Sequence, residues 1–352
     1  MAGGSDKSFK PALNFTRKLK GIISGSSGPA FYKADERIIH PFSVIVQKEI
    51  ADHVRSWRFL ILLAIISLTC LGSMYTALSS IREAIKPNDP EGSFLFLKLF
   101  TVSDGILPSF VVFISFLGPL LGISLGFDSV NSEHNKGTLS RLLSQPIHRD
   151  YILNAKFVAA LIVISVMFVA LGFLVMGFGL ITIGIPPTAG EFMRIIIFLV
   201  ISIIYVAFWL NLSILFSVRF RQPATSALSG IAIWLFFSVF YGMIVDLIMK
   251  GMVPQGFATE NQIINFELFR MNLNRLSPSQ LFSDATTTLL MPSVRSLGPL
   301  SMIQVMGTIP GPLRLTQSLL LVWPQITGLV AGTIICFVLS YISFMRKEIR
   351  SR

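Results

Sequence analysis

The densest chemistry in this chain lies in residues 127–157, FDSVNSEHNKGTLSRLLSQPIHRDYILNAKF, where carboxylates, lysines, arginines and histidines sit between two long apolar runs. Mixed acids and bases of this kind make charged hydrogen bonds to a partner or to nearby backbone, and Glu133 is placed to hold such a segment in register. Catalysis fits the residues less well. His40, His53, His134 and His148 lie at no metal-ligand spacing and read as surface histidines. No His-Glu-x-x-His run or Cys/His cluster occurs, so no zinc centre is expected. There is no Gly-x-x-x-x-Gly-Lys-Ser/Thr loop and no Gly-Lys dipeptide, so any nucleotide hydrolysis belongs to another polypeptide. Serines are frequent in the apolar runs, but no acid or histidine lies at the same depth to activate one.

Local signals give the polar segment a shape. Asp128 or Ser129 can cap a helix start. Gly137 can end or bend that helix, and Thr138 can cap a second one. Leu139, Leu142 and Leu143 form a small apolar face at i, i+3 and i+4. Pro146 stops it, and His148-Arg149-Asp150 leads into the next apolar run. The expectation is a short helix–bend–helix joined stiffly to two spans. It suits either a capped, solvated loop or a mechanical contact for a soluble partner.

The elements that must position this segment are membrane helices. A mean hydropathy of +0.71, with 53% apolar and 13% charged residues, lies outside the range of soluble domains. The fold class expected is all-α integral membrane, with about six transmembrane helices near 59–81, 105–127, 157–184, 195–218, 223–246 and 318–345. Pro186-Pro187 are expected to end the third helix. With both termini cytoplasmic, about 20 of the 29 Lys and Arg residues lie on the inner side. The formal charge of +11 is accounted for at the ends of apolar runs, so nucleic acid is not an expected partner. Cys70 and Cys336 both lie in apolar runs, which excludes a disulfide framework in the loops.

Residues 1–41 read as a mobile basic cytoplasmic arm, 42–346 as the transmembrane domain and 347–352 as a cytoplasmic tail. Residues 42–57 form an amphipathic helix in the inner interface. Val46, Ile50 and Val54 share one face, Lys48, Glu49, Asp52 and Arg55 lie elsewhere, and Trp57 and Arg58 sit at headgroup level. On the outer side, 82–104 is a modest loop and 185–193 a tight one. The large loop 250–314 is partly helical, with apolar surface at Ile263–Met271, Leu289-Leu290-Met291 and Met302–Met306.

Ionisable residues deep in the spans are almost absent, which disfavours an ion-coupled transporter. Asp246, with Lys250 one turn later, is the exception. It reads as an interfacial pair or as a residue lining an exit path. Gly118, Gly122 and Gly126, with Pro119 beside the first, let another helix approach closely, either within the subunit or at a dimer seam.

Asp128, then Glu133 followed by Gly137-Thr138-Leu139, then Leu142-Leu143-Ser144-x-Pro146, then Arg149 and Lys156, resembles the signature of ABC-2 type transporter permeases. Within that family it is most similar to the branch with the permease of the nitrous-oxide reductase maturation system. Lys48-Glu49 with Arg55, and the Arg219-x-Arg221 turn, are similar to further family elements. The resemblance covers roughly 42–345.

It implies the permease subunit of an ATP-binding cassette transporter in the cell membrane, with export the favoured direction. The partners implied are the lipid bilayer, a second permease subunit in a homodimer, and two copies of a cytoplasmic ABC ATPase that bind ATP and Mg. This chain would be non-catalytic and bind no cofactor itself. By the same resemblance, Lys48, Glu49 and Arg55 belong to a connecting helix. A coupling helix spans 129–145, and Asp128, Glu133, Gly137, Thr138, Leu139, Leu142, Leu143, Pro146 and Arg149 couple to the ATPase. The long arm and the large outer loop depart from the simplest members. The alternative function is a membrane scaffold or assembly factor without transport.

Overall fold

The structure, a computed structural model, describes residues 41–84, 94–103, 107–144, 147–252, 259–294, 296–297 and 312–346. Residues 1–40 of the expected arm 1–41, Pro146, the Met302–Met306 stretch and the tail lie outside the described residues, and Pro41 belongs to the first helix. The described secondary structure is helical throughout. Helix α1 (Pro41–Val54) precedes α2 (Trp57–Ala84), the first span. The short α3 (Leu95–Thr101) leads to α4 (Phe110–Gly126), the second. Two short helices follow, α5 (Asn131–Asn135) and α6 (Thr138–Leu143). The third and fourth spans are α7 (Arg149–Ile183) and α8 (Ala189–Arg219). The fifth is built from α9 (Pro223–Leu235), a π-helical turn (Phe236–Phe240) and α10 (Tyr241–Gly251). Helices α11 (Glu260–Asn274) and α12 (Pro278–Leu290) then precede the last span, α13 (Leu315–Arg346). Six helical stretches are thus long and apolar enough to cross a bilayer, and the protein is an all-α multi-pass membrane protein.

Span α8 is the hub, packed against α4, α7, α9, α12 and α13. Phe198, Tyr205, Trp209 and Leu210 on it are fully buried. Gly118, Gly122 and Gly126 of α4 all face α8. A Cβ at Gly122 would stand 2.7 Å from the Val206 carbonyl, and one at Gly126 2.8 Å from the Leu210 carbonyl. The small-residue face therefore lets two backbones approach within this one chain. Ser213 Oγ on α8 donates to the Ile123 carbonyl on α4 at 3.0 Å, and Tyr205 stacks on Phe282 of α12 with ring centroids 4.3 Å apart.

The end of the molecule opposite α5 and α6 departs most from the sequence expectation. The 82–104 segment is not only a loop: it contains α3, whose Phe96, Leu97, Leu99 and Phe100 are buried. The second span begins at Phe110 and not at 105, after Ser109. Gly184, in the left-handed region at φ 77°, ends the third span ahead of Pro186-Pro187. The fourth span starts in a capping box between Thr188 and Glu191, so Glu191 and Arg194 belong to a helix and are buried. Glu191 Oε1 also accepts from the Phe96 amide at 3.1 Å.

Arg194 donates to the Leu289 and Leu313 carbonyls, both at 2.7 Å, and to Ser318 Oγ at 3.0 Å. It clamps the end of α12 to the start of α13. Glu191 and Arg194 lie in the first two turns of α8, at the end of the span and not deep within it. Asp246 pairs with Arg270 of α11 at 2.8 Å, not with Lys250. That bond, with the Tyr241 hydroxyl donating to the Leu273 carbonyl at 2.6 Å, ties the fifth span to α11.

Candidate functional site

At the other end, α1 lies along the start of α7, and the α5–bend–α6 elbow closes over both. Lys156, one of few cations in an otherwise apolar helix, is 4% exposed. Its Nζ donates to Glu49 Oε2 of α1 at 3.0 Å and to Glu133 Oε1 of α5 at 2.8 Å. A buried ammonium is tolerable only with such partners. Three elements far apart in sequence thus meet at one nitrogen. Lys48 adds a bond to Glu49 at 3.0 Å and approaches Asp52 at 3.4 Å and Glu133 at 3.9 Å.

The remaining elbow residues are tied down by contacts that local pattern did not foretell. Asp128 does not cap α5. It accepts from Arg58 of the first span at 2.7 Å, and the Arg58 guanidinium lies over the Phe127 ring. Val130, which precedes α5, makes no side-chain cap. Ser217 of α8 does that work from a distance: its Oγ accepts from the Val130 amide at 2.9 Å and the Asn131 amide at 3.2 Å. Gly137 makes the bend at φ 67°, a conformation that favours glycine. Thr138 is the first residue of α6, and its hydroxyl donates back to the Glu133 carbonyl at 3.2 Å.

Leu139 is 2% exposed and Leu142 packs beside it, so the apolar face of α6 points into the membrane body. Leu143 belongs to α6, but its side chain lies outside the described residues. Arg149 donates to the Phe344 carbonyl at 2.8 Å and lies over the Phe344 ring, joining the third span to the sixth. Arg55 is exposed just beyond α1. What the elbow leaves exposed is its tip, Asn135-Lys136-Gly137, together with Arg141 and Ser144.

Sequence reasoning anticipated the helix–bend–helix of the elbow but missed Ser217 and Arg58 as its partners. No local pattern marks either. Lys156, the one lysine within the third hydrophobic helix, was the available signal for the hub.

Between α1, α2, the end of α4 and the elbow lies a cleft of about 600 Å³ lined by Lys48, Glu49, Asp128, Glu133, Arg141 and Lys156, among others. Burial pushes the Glu49 carboxyl up, but Lys156 and Lys48 outweigh it and hold its pKa below the usual carboxylate range. Burial likewise works against the Lys48 ammonium, and Glu49, Glu133 and Asp52 more than offset it. His53, in the same cleft, is held below its ordinary value of 6.5, chiefly by burial.

Both depressed values give the same sign. As pH falls below 6.5, an unfolded-state His53 takes up a proton that the folded state resists, so stability declines. The Glu49 contribution, present above its ordinary 4.5, is lost as pH falls further through its folded value. Thermal unfolding in detergent should therefore show a lower midpoint at about pH 5.5 than at about pH 7.5, and His53→Gln should flatten that step. An unchanged slope in His53→Gln would contradict the assignment to His53.

The pattern of the family described as "ABC-2 family transporter protein" matches residues 43–349, nearly the whole of the helical body and both arms of the elbow. A comparison with curated proteins gives no match.

Proposed function

This chain belongs to the ABC-2 family of transporter proteins and is an ABC transporter membrane subunit, and on that premise we propose that a separate cytoplasmic ATPase drives it through the elbow. Two copies of the chain pair with two copies of the ATPase, which bind ATP and Mg, and the work is export of a substrate. The face carrying the elbow is cytoplasmic, as are both termini, in keeping with the distribution of Lys and Arg. The motif from Glu133 to Pro146 supports a place in the branch with the nitrous-oxide reductase maturation permease.

The observation that carries this reading is the Lys156 hub. Because its ammonium bonds both Glu49 and Glu133, a displacement of the exposed tip is passed to α1 and to the third span together. Arg149 passes it on to the sixth span. A loop without such bonds would absorb the push.

Glu133→Ala should leave insertion intact, since Lys156 keeps Glu49, yet loosen the elbow by about 1–3 kcal/mol and lower transport-coupled ATP hydrolysis in reconstituted vesicles. Gly137→Phe should do the same by a different route. Space around the glycine is open, but an L side chain at that φ costs about 1–2 kcal/mol and obstructs the tip. Full coupling in both variants would count against the elbow as the point of drive.

A further inference from the structure

We infer that the groove receiving the elbow on the ATPase is acidic, and that Lys136 and Arg141 are the cations that recognise it; this rests on the reading that an ATPase docks here. The argument comes from how the charges at this end are divided. Among the acids, Glu49, Asp52, Asp128 and Glu133 are each ion-paired to a lysine or arginine of this chain. Asp150 lies in the first turn of α7, where the helix N-terminus compensates a carboxylate.

The cations are not used up in the same way. Lys136 and Arg141 are exposed, line the outer part of the cleft and have no carboxylate within 4.0 Å among the described residues. Arg219 and Arg221 are exposed too. Asn135 Nδ2 donates to the Arg221 carbonyl at 2.9 Å, which brings the turn after the fourth span against the tip. The elbow thus keeps its acids inside and shows an unbalanced basic surface outside.

A lipid surface is the weaker match for that patch. An element that lies in the headgroup layer presents apolar side chains beside its cations. Here Leu139 and Leu142 are turned inward, and the tip is Asn-Lys-Gly. A protein groove with carboxylates on its walls meets both features, a polar protrusion and unspent positive charge. Complementarity of this sort steers encounter and weakens with salt.

The test uses the full-length chain in nanodiscs of phosphatidylcholine alone or with phosphatidylglycerol, and candidate ABC ATPase subunits from the same organism. Association is measured at about 50 mM and about 300 mM salt. In phosphatidylcholine discs, wild type should bind about tenfold more weakly at the higher salt, and Lys136→Glu with Arg141→Glu should lower binding about tenfold at the lower salt. Both side chains are exposed and have no ion-pair partner among the described residues, so the variant should remain folded and monodisperse. Equal binding by wild type and the double variant at both salts would overturn the acidic groove while leaving ATPase docking intact. An effect of charge reversal confined to phosphatidylglycerol discs would assign the patch to lipid and overturn it too. Failure of wild type to bind the ATPase under any condition would overturn both the groove and the function proposed above.

Discussion

Lys156→Ala is expected to lower the thermal midpoint sharply and to abolish ATPase-coupled transport. Removing the ammonium leaves Glu49 and Glu133 facing one another, both largely buried, with only the half-exposed Lys48 nearby. Stranding buried charge in this way costs about 3–5 kcal/mol, where loss of a surface pair would cost about 1 kcal/mol or less. Without Lys156, burial pushes the Glu49 carboxyl toward its protonated form, which relieves part of that cost, so the defect should be smaller at low pH than at neutral pH.

A second variant separates lost charge balance from lost volume. Lys156→Met together with Glu49→Gln and Glu133→Gln leaves no unpaired buried ion and should recover most of the midpoint. Differential scanning fluorimetry in detergent reads both. A Lys156→Ala protein as stable as wild type would mean that the three elements are not joined at this nitrogen.

Gly122→Ala is expected to be more damaging than the same change at the other two glycines of the α4 small-residue face. The added Cβ would stand 2.7 Å from the Val206 carbonyl oxygen and 2.9 Å from the Leu210 amide nitrogen, so main chain opposes it on α8. Gly126→Ala meets the Leu210 carbonyl at 2.8 Å and should be nearly as damaging. Gly118→Ala meets side chains alone, a Val206 methyl at 2.9 Å and an Ile114 methyl at 3.8 Å, and a side chain can turn away. The expected order of folded yield is therefore wild type, then Gly118→Ala, then Gly126→Ala and Gly122→Ala. Overpacking of this kind costs about 1–3 kcal/mol where side chains can shift, and more where backbone must move. The damage should also reach the elbow, because α8 supplies Ser217 to its first helix. Size-exclusion profiles of the three variants settle the order, and equal yields would mean that α4 and α8 are not in direct backbone contact.

The parts of this fold that were legible in the sequence are those set by composition over many residues. Six long apolar stretches with few charges specify six spans because unpaired charge is costly in the bilayer. The bend at Gly137 was legible because few residues other than glycine adopt its φ. The apolar spacing of Leu139 and Leu142 marked a buried helix face.

What stayed hidden depends on neighbours distant in the chain. Asp128 has the residue type and position of a helix cap, yet Arg58, 70 residues earlier, takes its carboxylate. Thr138 was expected to cap α6 and instead bonds the preceding Glu133 carbonyl. Asp246 and Lys250 have helix-neighbour spacing, but Arg270 of a later helix holds the carboxylate. Arg194 falls between the expected loop 185–193 and the expected span 195–218, and the capping box Thr188-x-x-Glu191 moves the helix start ahead of it. The apolar residues of Leu95–Phe100, interrupted by Lys98, were the available signal for α3 within 82–104.

The central claim is that a nucleotide-hydrolysing companion pushes on the exposed elbow, and cross-linking from its tip in native membranes tests it most directly. A photo-crosslinking amino acid at Lys136, where the side chain is exposed and makes no ion pair among the described residues, should yield one dominant adduct, between this chain and a Walker-motif ATPase on the cytoplasmic side. Adducts only with lipid, with exterior proteins or with proteins lacking such a motif would contradict the account.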